Sequence, residues 1–340
     1  MSAKTILIIR TSALGDVAMT IPAIWSLAKQ YPQLQLKILT DARFVDLFAE
    51  APANISLIAY DKAQHKGFKG MVRLAKRLQK EHINAVADLH NVLRSWIIDI
   101  LFFMQGKTVV MLDKRRRERA AILKHQQSAT QPFTARYFDV FAKLGFPCTP
   151  DFTSIFTTPP LVPDLFNQLD TQLCWIGIAP FARYYNKTYP IEMMHKVVQT
   201  LSKREDSHIF LFGASGKESE IINKWATESA NIHVVAGRLT MKQELSLMAH
   251  LDVMVSMDSA NMHLASLVGT RVVSIWGSTT PQCGFLGYGQ SENHAVCANL
   301  PCQPCTIAGS KECHRKHFDC LASITTDQIT DAINTAISYR

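Results

Sequence analysis

Short runs of β-branched and other apolar residues alternate along this chain with longer stretches of helical periodicity. The runs have the length and composition of buried strands, and the longer stretches place apolar residues on one helical face. The runs that predict strands are residues 6–10, 34–39, 55–60, 83–89, 109–112, 174–179, 208–212, 232–235, 253–257 and 271–276. The stretches that predict helices are residues 16–30, 70–81, 187–204, 217–230, 241–250, 261–269 and 326–339. This alternation indicates an α/β fold of parallel sheets covered by helices, and it occurs twice.

A proline-rich segment separates the two halves of the pattern. Pro159, Pro160 and Pro163 follow one another closely, and proline is tolerated neither in a sheet centre nor in a helix interior. We therefore expect domains at residues 1–158 and 164–325, followed by a terminal helical segment at 326–340. Two open α/β domains joined in this way leave a cleft, and ligands of such folds bind at the carboxyl ends of the strands.

The composition agrees with two folded domains and adds a charge bias. The chain has 340 residues, of which 47% are apolar and 19% are charged. That apolar fraction excludes the disordered class, and the absence of a repeat excludes the fibrous class. The net charge is +8, which points to an anionic partner such as nucleic acid, a phosphorylated substrate or an acidic membrane face.

We expect neither a targeting segment nor a membrane-spanning segment. The first predicted strand begins directly after residues 1–4, without the pattern of a signal peptide. No stretch approaches the roughly 20 apolar residues that a membrane helix needs. Residues 96–104 come closest, but that run is short and contains Asp99, so it predicts a buried or amphipathic helix. Eight cysteines without a signal peptide favour the reducing cytosol.

The loop between the first predicted strand and helix carries the first candidate chemistry. It leads from Arg10 through the hydroxyl residues Thr11 and Ser12 to Gly15 and Asp16. It matches neither the dinucleotide pattern GxGxxG nor the P-loop pattern. Asp16 could cap the helix and offset its dipole. Alternatively, next to a cation, Asp16 could accept a proton from an attacking hydroxyl, and both readings stay open.

Two loops of the second half could bind an anion. Residues 256–263 join a strand to a helix, and the small residues Ser259 and Ala260 would let a diphosphate approach the backbone N–H groups there. The next strand ends in glycine and hydroxyl residues at 277–281. Residues 180–190 place Arg183 and Lys187 after the first strand of this half, where they could bind phosphate. The alternative interpretations are that His263 is a histidine of the core and that residues 180–190 form a solvated surface loop.

Together these loops resemble those of glycosyltransferase family 9, the ADP-heptose:lipopolysaccharide heptosyltransferases of Gram-negative bacteria. The matching stretches are residues 8–16 with Pro22 and Ala23, residues 88–95, residues 186–190, and residues 258–263 with 277–281. They are spread over most of the chain. The resemblance implies the GT-B fold, with two Rossmann-like domains that face a cleft and a C-terminal helix that crosses back onto the first domain.

The resemblance also implies a chemistry. The family inverts the anomeric configuration and needs no metal, and this chain has no Asp-x-Asp sequence of the kind that holds a metal in other transferases. The acceptor would bind to the first domain and the nucleotide sugar to the second. The family's Thr-Gly pair is Ser259-Ala260 here, and the alanine adds a methyl group close to the phosphates.

Individual roles follow from the matching positions. The resemblance assigns the general base to Asp16 and the acceptor contacts to Arg10, Thr11, Ser12 and Arg94. It assigns the donor contacts to Lys187, Arg183, Glu218, Asp258, Ser259, Ala260 and His263. Among the donor residues, Lys187 would hold the phosphate and Glu218 the nucleotide ribose.

Two further features have a structural and a functional interpretation. Cys302, Cys305, Cys313 and Cys320 could form a metal site with His314 and His317 nearby, but their spacing fits no standard zinc pattern. We therefore expect reduced thiols and no metal. Residues 114–119 are the densest basic run, which is either a solvated helix face or a contact for an anionic acceptor.

With this resemblance, the sequence predicts an inverting, metal-independent heptosyltransferase that requires no cofactor. It would move heptose from ADP-L-glycero-D-manno-heptose to the lipopolysaccharide inner core, an acceptor of the lipid A-Kdo type. We expect a cytoplasmic monomer, peripherally associated with the inner membrane, that binds no nucleic acid because no recognition motif accompanies its basic residues. The alternatives are a GT-B transferase or epimerase for another nucleotide sugar, and a basic anion-binding protein without turnover.

Overall fold

The structure is a computed structural model that describes residues 4–310, 313 and 315–338. The chain forms two compact units. Unit 1 comprises the described residues up to Lys114 together with Phe133–Ile155, and unit 2 comprises Arg115–Pro132 together with the described residues from Phe156 onward. The chain thus leaves unit 1 after Lys114, folds with unit 2, and returns at Phe133. The sequence pattern does not indicate this excursion.

Unit 1 is built on one parallel sheet. Its strands are β1 Thr5–Ile9, β2 Gln35–Asp41, β3 Ile55–Tyr60, β4 Ala85–Asp88 and β5 Thr108–Met111. They lie in the order β3-β2-β1-β4-β5. Four helices occur before the excursion: α1 Leu14–Ala18, α2 Ile21–Gln30, α3 Gly67–Leu78 and α4 Leu93–Phe103. The excursion forms α5 Arg116–Leu123, and the chain re-enters unit 1 as α6 Phe133–Lys143.

The core of unit 1 explains the placement of its helices. Every residue of the central strand β1 is buried, so both of its faces are covered, as in other parallel sheets. Leu7 and Ile9 project to one face, where they pack in a single cluster with Leu74 of α3 and with Ile98 and Phe102 of α4. Helices α3 and α4 therefore lie side by side on the same face of the sheet.

Unit 2 repeats the architecture with six parallel strands. They are β6 Cys174–Ala179, β7 Ser207–Leu211, β8 Ile232–Val234, β9 Val253–Met257, β10 Val272–Trp276 and β11 Ala295–Cys297. Their order is β11-β10-β9-β6-β7-β8. The helices are α7 Ile191–Ser202, α8 Lys217–Ala226, α9 Met241–Met248, α10 Ala260–Leu267, α11 Asp319–Ala322 and α12 Thr326–Ile337. The two parallel-sheet units confirm the predicted α/β fold class.

The last helix has a packing partner inside unit 2. Ile329, Ile333 and Ala336 of α12 are buried in the unit 2 core, and the helix packs against α7, β9 and β10. Its predicted return to the first domain stays a prediction. Tyr339, at the end of the predicted helix, lies outside the described residues.

Proline explains two differences from the predicted helices. The helix predicted at residues 16–30 is two helices, α1 and α2, because Pro22 stands in the first turn of α2, where a missing N–H is tolerated. The helix predicted at 187–204 begins only at Ile191, because a proline disfavours helical conformation in the residue before it and Pro190 precedes this helix. Lys187 consequently lies in a short 3-10 turn, Tyr185–Lys187.

The other differences are additional elements. Strand β11 and helices α5, α6 and α11 are present without having been predicted. In the part of the chain that the structure describes, no helix has the length and apolarity needed to cross a bilayer.

Candidate active site

The loop between β1 and α1 holds Asp16 in a defined position. Asp16 is the third residue of α1, and its Oδ2 accepts the N–H of Ala13 at 3.2 Å, which satisfies a free donor at the start of the helix. The same oxygen lies 2.8 Å from Nη2 of Arg10. The Asp16 side chain is 33% exposed, so a substrate hydroxyl can reach it. The capping contact is thus present in the structure, and the role of Asp16 as a base stays a prediction that its exposure permits.

Arg10 anchors this carboxylate from inside unit 1. Its side chain is buried, and its Nη1 donates to the carbonyl of Leu89 at 2.7 Å. Burial is the largest single effect and would lower the pKa of Arg10, but the charge and hydrogen bond of Asp16, together with Tyr137 and Asp88, outweigh it and raise that pKa overall. Arg10 thus stays charged and fixes the position of the Asp16 carboxylate.

His90 connects the two hydroxyl residues of this loop. Its Nδ1 lies 3.1 Å from Oγ1 of Thr11, and its Nε2 lies 3.4 Å from Oγ of Ser12. Burial, together with the nearby positive charges of Arg10 and Lys114, lowers the pKa of His90 to about 3. The ring is therefore neutral near pH 7, where it orients hydroxyl groups and is a poor general base.

A buried pair of carboxyl groups supports the His90 loop from behind. Asp88 ends β4, and its Oδ1 accepts the N–H groups of His90 and Asn91 at 2.8 and 2.9 Å. Its Oδ2 accepts the hydroxyl of Ser95 at 2.6 Å. Asp99 of α4 is 4% exposed and faces Asp88, and burial together with the Asp88 charge raises its pKa well above the usual range. A protonated Asp99 can donate to Asp88, whereas two ionised carboxylates could only repel.

Arg94 lies at the start of α4, close to this loop. Its side chain is exposed, and its Nη1 lies 3.4 Å from the hydroxyl of Tyr60. An exposed cation at the carboxyl edge of the sheet can meet an anionic ligand. Unit 1 therefore holds Arg10 against Asp16, and Thr11 and Ser12 against His90. Arg94 is near enough to His90 for its charge to help lower the pKa of that ring.

In unit 2, Lys187 and Asp258 form a buried ion pair. Nζ of Lys187 lies 2.6 Å from Oδ2 of Asp258, with side chains 10% and 5% exposed. Thr279 donates its hydroxyl to the same oxygen at 2.6 Å. An ammonium group has three donors, so this geometry orients Lys187 and leaves hydrogen-bonding capacity for a ligand.

Two glycines allow the surrounding loops to close on Lys187. Gly309 has φ +77°, and a Cβ there would overlap Cε of Lys187 and lie 2.7 Å from its Cδ. A Cβ at Gly277 would lie 2.6 Å from the carbonyl oxygen of Asn186. That carbonyl accepts the N–H of Ser278 at 3.1 Å, which ties the lysine loop to the end of β10.

The start of α10 follows Asp258. Ser259 caps the helix in extended conformation, and its hydroxyl lies 3.2 Å from that of Ser256. Ala260 is the first helical residue and is partly exposed, so the first N–H groups of α10 are accessible. His263 is buried on the same helix, one turn further on.

The remaining two predicted donor residues have other contacts. Glu218 accepts the N–H of Ala214 at 2.7 Å and so holds the loop between β7 and α8. Arg183 is exposed, and its guanidinium lies over the ring of Tyr184, 5.5 Å from its centre. The structure gives neither of them a contact to the Lys187–Asp258 pair.

The described residues of the cysteine loop show no metal geometry. Across residues 4–310, 313 and 315–338, no three His, Cys, Asp or Glu side chains are placed to hold an ion, and Cys302, Cys305, Cys313 and Cys320 are free thiols. Burial, reinforced by Cys302, raises the pKa of Cys305 to about 12, which keeps that thiol protonated. His314 lies outside the described residues.

Several residues of these sites were not identified from the sequence. They are Asp88, His90, Asp99, Thr279 and Gly309. Asp88 and His90 stand in a stretch that carries the family resemblance, and Thr279 stands in another, so the sequence indicated both loops without these side chains. No sequence signal distinguishes Asp99 from other polar positions of an apolar helix.

The chain is similar to known proteins in sequence and in fold. The chain is 24% identical over 291 residues to the lipopolysaccharide core heptosyltransferase OpsX of Haemophilus influenzae, covering 82% of this chain and 80% of that protein. A glycosyltransferase family 9 structure from Veillonella parvula superposes with a TM-score of 0.75 at 17% identity, over 100% of this chain and 99% of that one. The Escherichia coli heptosyltransferase WaaC with ADP gives 0.70 at 19% identity, over 98% and 99%. These structures support the GT-B fold.

The family itself is established by a sequence model. The model of glycosyltransferase family 9 (heptosyltransferase) matches residues 71–316, which span the His90 loop, the Lys187 loop and the start of α10. This chain is a glycosyltransferase and belongs to glycosyltransferase family 9.

Proposed function

We propose that this enzyme transfers heptose from ADP-L-glycero-D-manno-heptose to the lipopolysaccharide inner core, with inversion and without a metal ion or other cofactor. The proposal is supported by the names of its relatives, which include lipopolysaccharide and lipooligosaccharide heptosyltransferases. The observation that carries it is the accessible Asp16 carboxylate that Arg10 fixes 2.8 Å away.

Asp16 would act on the acceptor. As the acceptor hydroxyl attacks the anomeric carbon, its proton passes to the Asp16 carboxylate, and the bond from that carbon to the diphosphate oxygen breaks. Such a base contributes about 10²- to 10⁴-fold to the rate. Arg94, Thr11 and Ser12 would orient the acceptor, with neutral His90 holding the two hydroxyl groups.

Unit 2 residues would stabilise the leaving diphosphate, which departs as ADP with the bonding electron pair. Lys187 supplies a cation, and the accessible N–H groups at the start of α10 supply hydrogen-bond donors. A carboxylate repels a diphosphate, so we assign Asp258 the task of orienting Lys187 and not of contacting the donor. Glu218 would meet the ribose, and Arg183 is an accessible second cation.

The proposed setting is the cytoplasmic face of the inner membrane, where a monomeric enzyme would meet its anionic acceptor. The +8 net charge supports an anionic partner. The basic run at residues 114–119, now placed at the start of the excursion, includes exposed Arg116 and Arg117 that could contact acceptor phosphates.

The test is ADP release from ADP-L-glycero-D-manno-heptose with a heptose-deficient lipopolysaccharide acceptor. We expect release by the wild type and by Asp46→Asn, which changes an exposed carboxylate of unit 1, and a loss of about 10²-fold or more in Asp16→Asn. ADP binding without release would redirect the search to other sugars or acceptors. Tighter binding of UDP or GDP would favour another transferase or an epimerase, and absence of nucleotide binding would favour the anion-binding alternative.

A further inference from the structure

Helix α4 exposes an apolar stripe to solvent. At about 100° per residue, Leu93, Trp96, Ile100, Phe103 and Met104 fall within an arc of about 100° on the helix. Leu93, Ile100, Phe103 and Met104 are 57–76% exposed, and Trp96 is 37% exposed. This α4 stripe is the outward side of the helix, since its opposite side packs in the unit 1 core.

The stripe is unusual for its position. A helix that is apolar on all sides is normally buried, and single exposed apolar residues need no explanation. Here five of them are contiguous, and exposed contiguous apolar patches mark interaction sites. The helix has 11 residues, about half of what a bilayer span requires, so it can lie on a membrane but cannot cross it.

The neighbouring helix α3 supplies positive charge beside the stripe. Its outward side carries exposed Lys69, Arg73 and Lys76, together with Phe68, which is 70% exposed. Residues 62–80 contain no Asp or Glu, and the one acidic residue of α4, Asp99, is buried. We call the α4 stripe with these four α3 residues the α3–α4 face.

We propose that the α3–α4 face docks on an anionic lipid bilayer, with the α4 stripe in the headgroup boundary and the α3 cations against lipid phosphates. Charge decides between a bilayer and a second copy of this chain. A two-fold contact would bring two identical cationic faces together, which costs free energy, whereas anionic headgroups complement them. This inference rests on the proposed function, because a lipid-anchored acceptor is what would bring the enzyme to a bilayer.

The experiment is vesicle co-sedimentation of the full chain with phosphatidylcholine vesicles and with vesicles containing phosphatidylglycerol. We expect binding to the anionic vesicles that weakens with salt, and little binding to the neutral ones. The stripe variant Ile100→Gln/Phe103→Gln/Met104→Gln and the charge variant Lys69→Gln/Arg73→Gln/Lys76→Gln should each lower the partition coefficient by about tenfold or more.

Matched variants elsewhere control for composition. Leu57→Gln/Leu161→Gln/Leu165→Gln removes three exposed apolar side chains outside the face, and Lys196→Gln/Lys217→Gln/Lys224→Gln removes three exposed cations of unit 2. Both controls should bind vesicles as the wild type does. Equal losses in the controls, or no binding to anionic vesicles, would overturn the proposal.

Two further measurements separate the possible failures. Sedimentation velocity without lipid tests whether the face instead binds a second copy of this chain. If the wild type is a dimer and the stripe variant is a monomer, the proposal that the face docks on a bilayer is refuted. Turnover on a deacylated, water-soluble acceptor tests the proposed function alone, and the stripe variant should match the wild type there. If the wild type is active on that acceptor but does not bind vesicles, only the docking inference is refuted. If neither the wild type nor any variant is active on it, the proposed function is refuted.

Discussion

Replacing Lys187 by methionine removes a cation from a pair that unit 2 keeps almost out of water. The Asp258 side chain is 5% exposed, so its charge would remain buried without its ammonium partner. Breaking such a pair costs about 3–5 kcal/mol. Thr279 still donates to Asp258, so we expect a loss near the lower limit, about 3 kcal/mol, in the Lys187→Met variant. For a unit of roughly 200 residues this corresponds to a melting temperature about 6–12 °C lower.

A second substitution separates the structural effect from the functional one. Lys187→Met/Asp258→Asn removes the stranded carboxylate while keeping an oxygen acceptor for Thr279, so most of the lost stability should return. ADP affinity should return only in part, because the Asp258 charge no longer repels the diphosphate but the phosphate has still lost its ammonium. Hydrogen bonds to charged groups contribute about 1.5–3 kcal/mol, so ADP should bind roughly 10- to 150-fold more weakly in both variants.

The measurements are thermal unfolding without nucleotide and titration calorimetry with ADP. Lys196→Met, which changes an exposed lysine of α7, is the control and should match the wild type in both. Two results would refute the reasoning. A single variant with the melting temperature of the wild type would show that the pair is not effectively buried. A double variant with the full ADP affinity of the wild type would show that Lys187 does not hold the phosphate.

Three further predictions test other parts of the sites. Asp16→Asn should lower turnover by about 10²- to 10⁴-fold with ADP affinity unchanged in calorimetry, and a parallel loss of both would indicate a purely structural cap. Gly309→Ala should weaken ADP binding by displacing Lys187, whereas Gly289→Ala, at a similar φ of +71° with no atom within 4 Å of its Cβ, should not. The folded-state pKa of Asp99 is raised, so Asp99 stabilises the folded protein fully at pH values below its unfolded-state pKa of about 4. This stabilisation is lost as the pH rises through the folded-state pKa. Asp99→Asn keeps a donor to Asp88, so the melting temperature of this variant should fall less between about pH 5 and pH 8 than that of the wild type. A fall as steep as in the wild type would contradict a protonated Asp99.

The central strands could be predicted from the sequence because burial on both faces leaves a continuous apolar run. The edge strands β3 and β5 are partly buried or exposed along most of their length, and they could be predicted through their β-branched residues. The ten predicted strands all occur, whereas β11, with only three partly buried residues, lacks such a run. The sequence leaves α4 open as a buried or an amphipathic helix, and only the three-dimensional neighbours show that the Phe103 side faces solvent.

The residues of the candidate site also differ in whether the sequence alone could identify them. Asp16 and Lys187 stand in loops with recognisable sequences, so their loops could be found before the structure was known. Asp16 pairs with Arg10, only six positions away, whereas Lys187 pairs with Asp258, 71 positions beyond it. Asp99 likewise meets Asp88 only because a strand end and a helix come together. The placement of residues 115–132 in unit 2 depends on contacts with segments after residue 280, which no local pattern contains.

The excursion at Arg115–Pro132 makes the two units topologically dependent during synthesis. The chain changes unit three times, after Lys114, after Pro132 and after Ile155, so no single cut yields both units whole. On the ribosome, unit 1 cannot be completed before α6 has emerged. The side chain of Ile122, which ends buried against Cys283 and Ile307, stays without those partners until about half of the chain has followed it. Truncation after Ile155 would therefore leave the excursion without its partners, and a dissection that keeps both units whole joins Pro132 directly to Phe156 and Lys114 directly to Phe133.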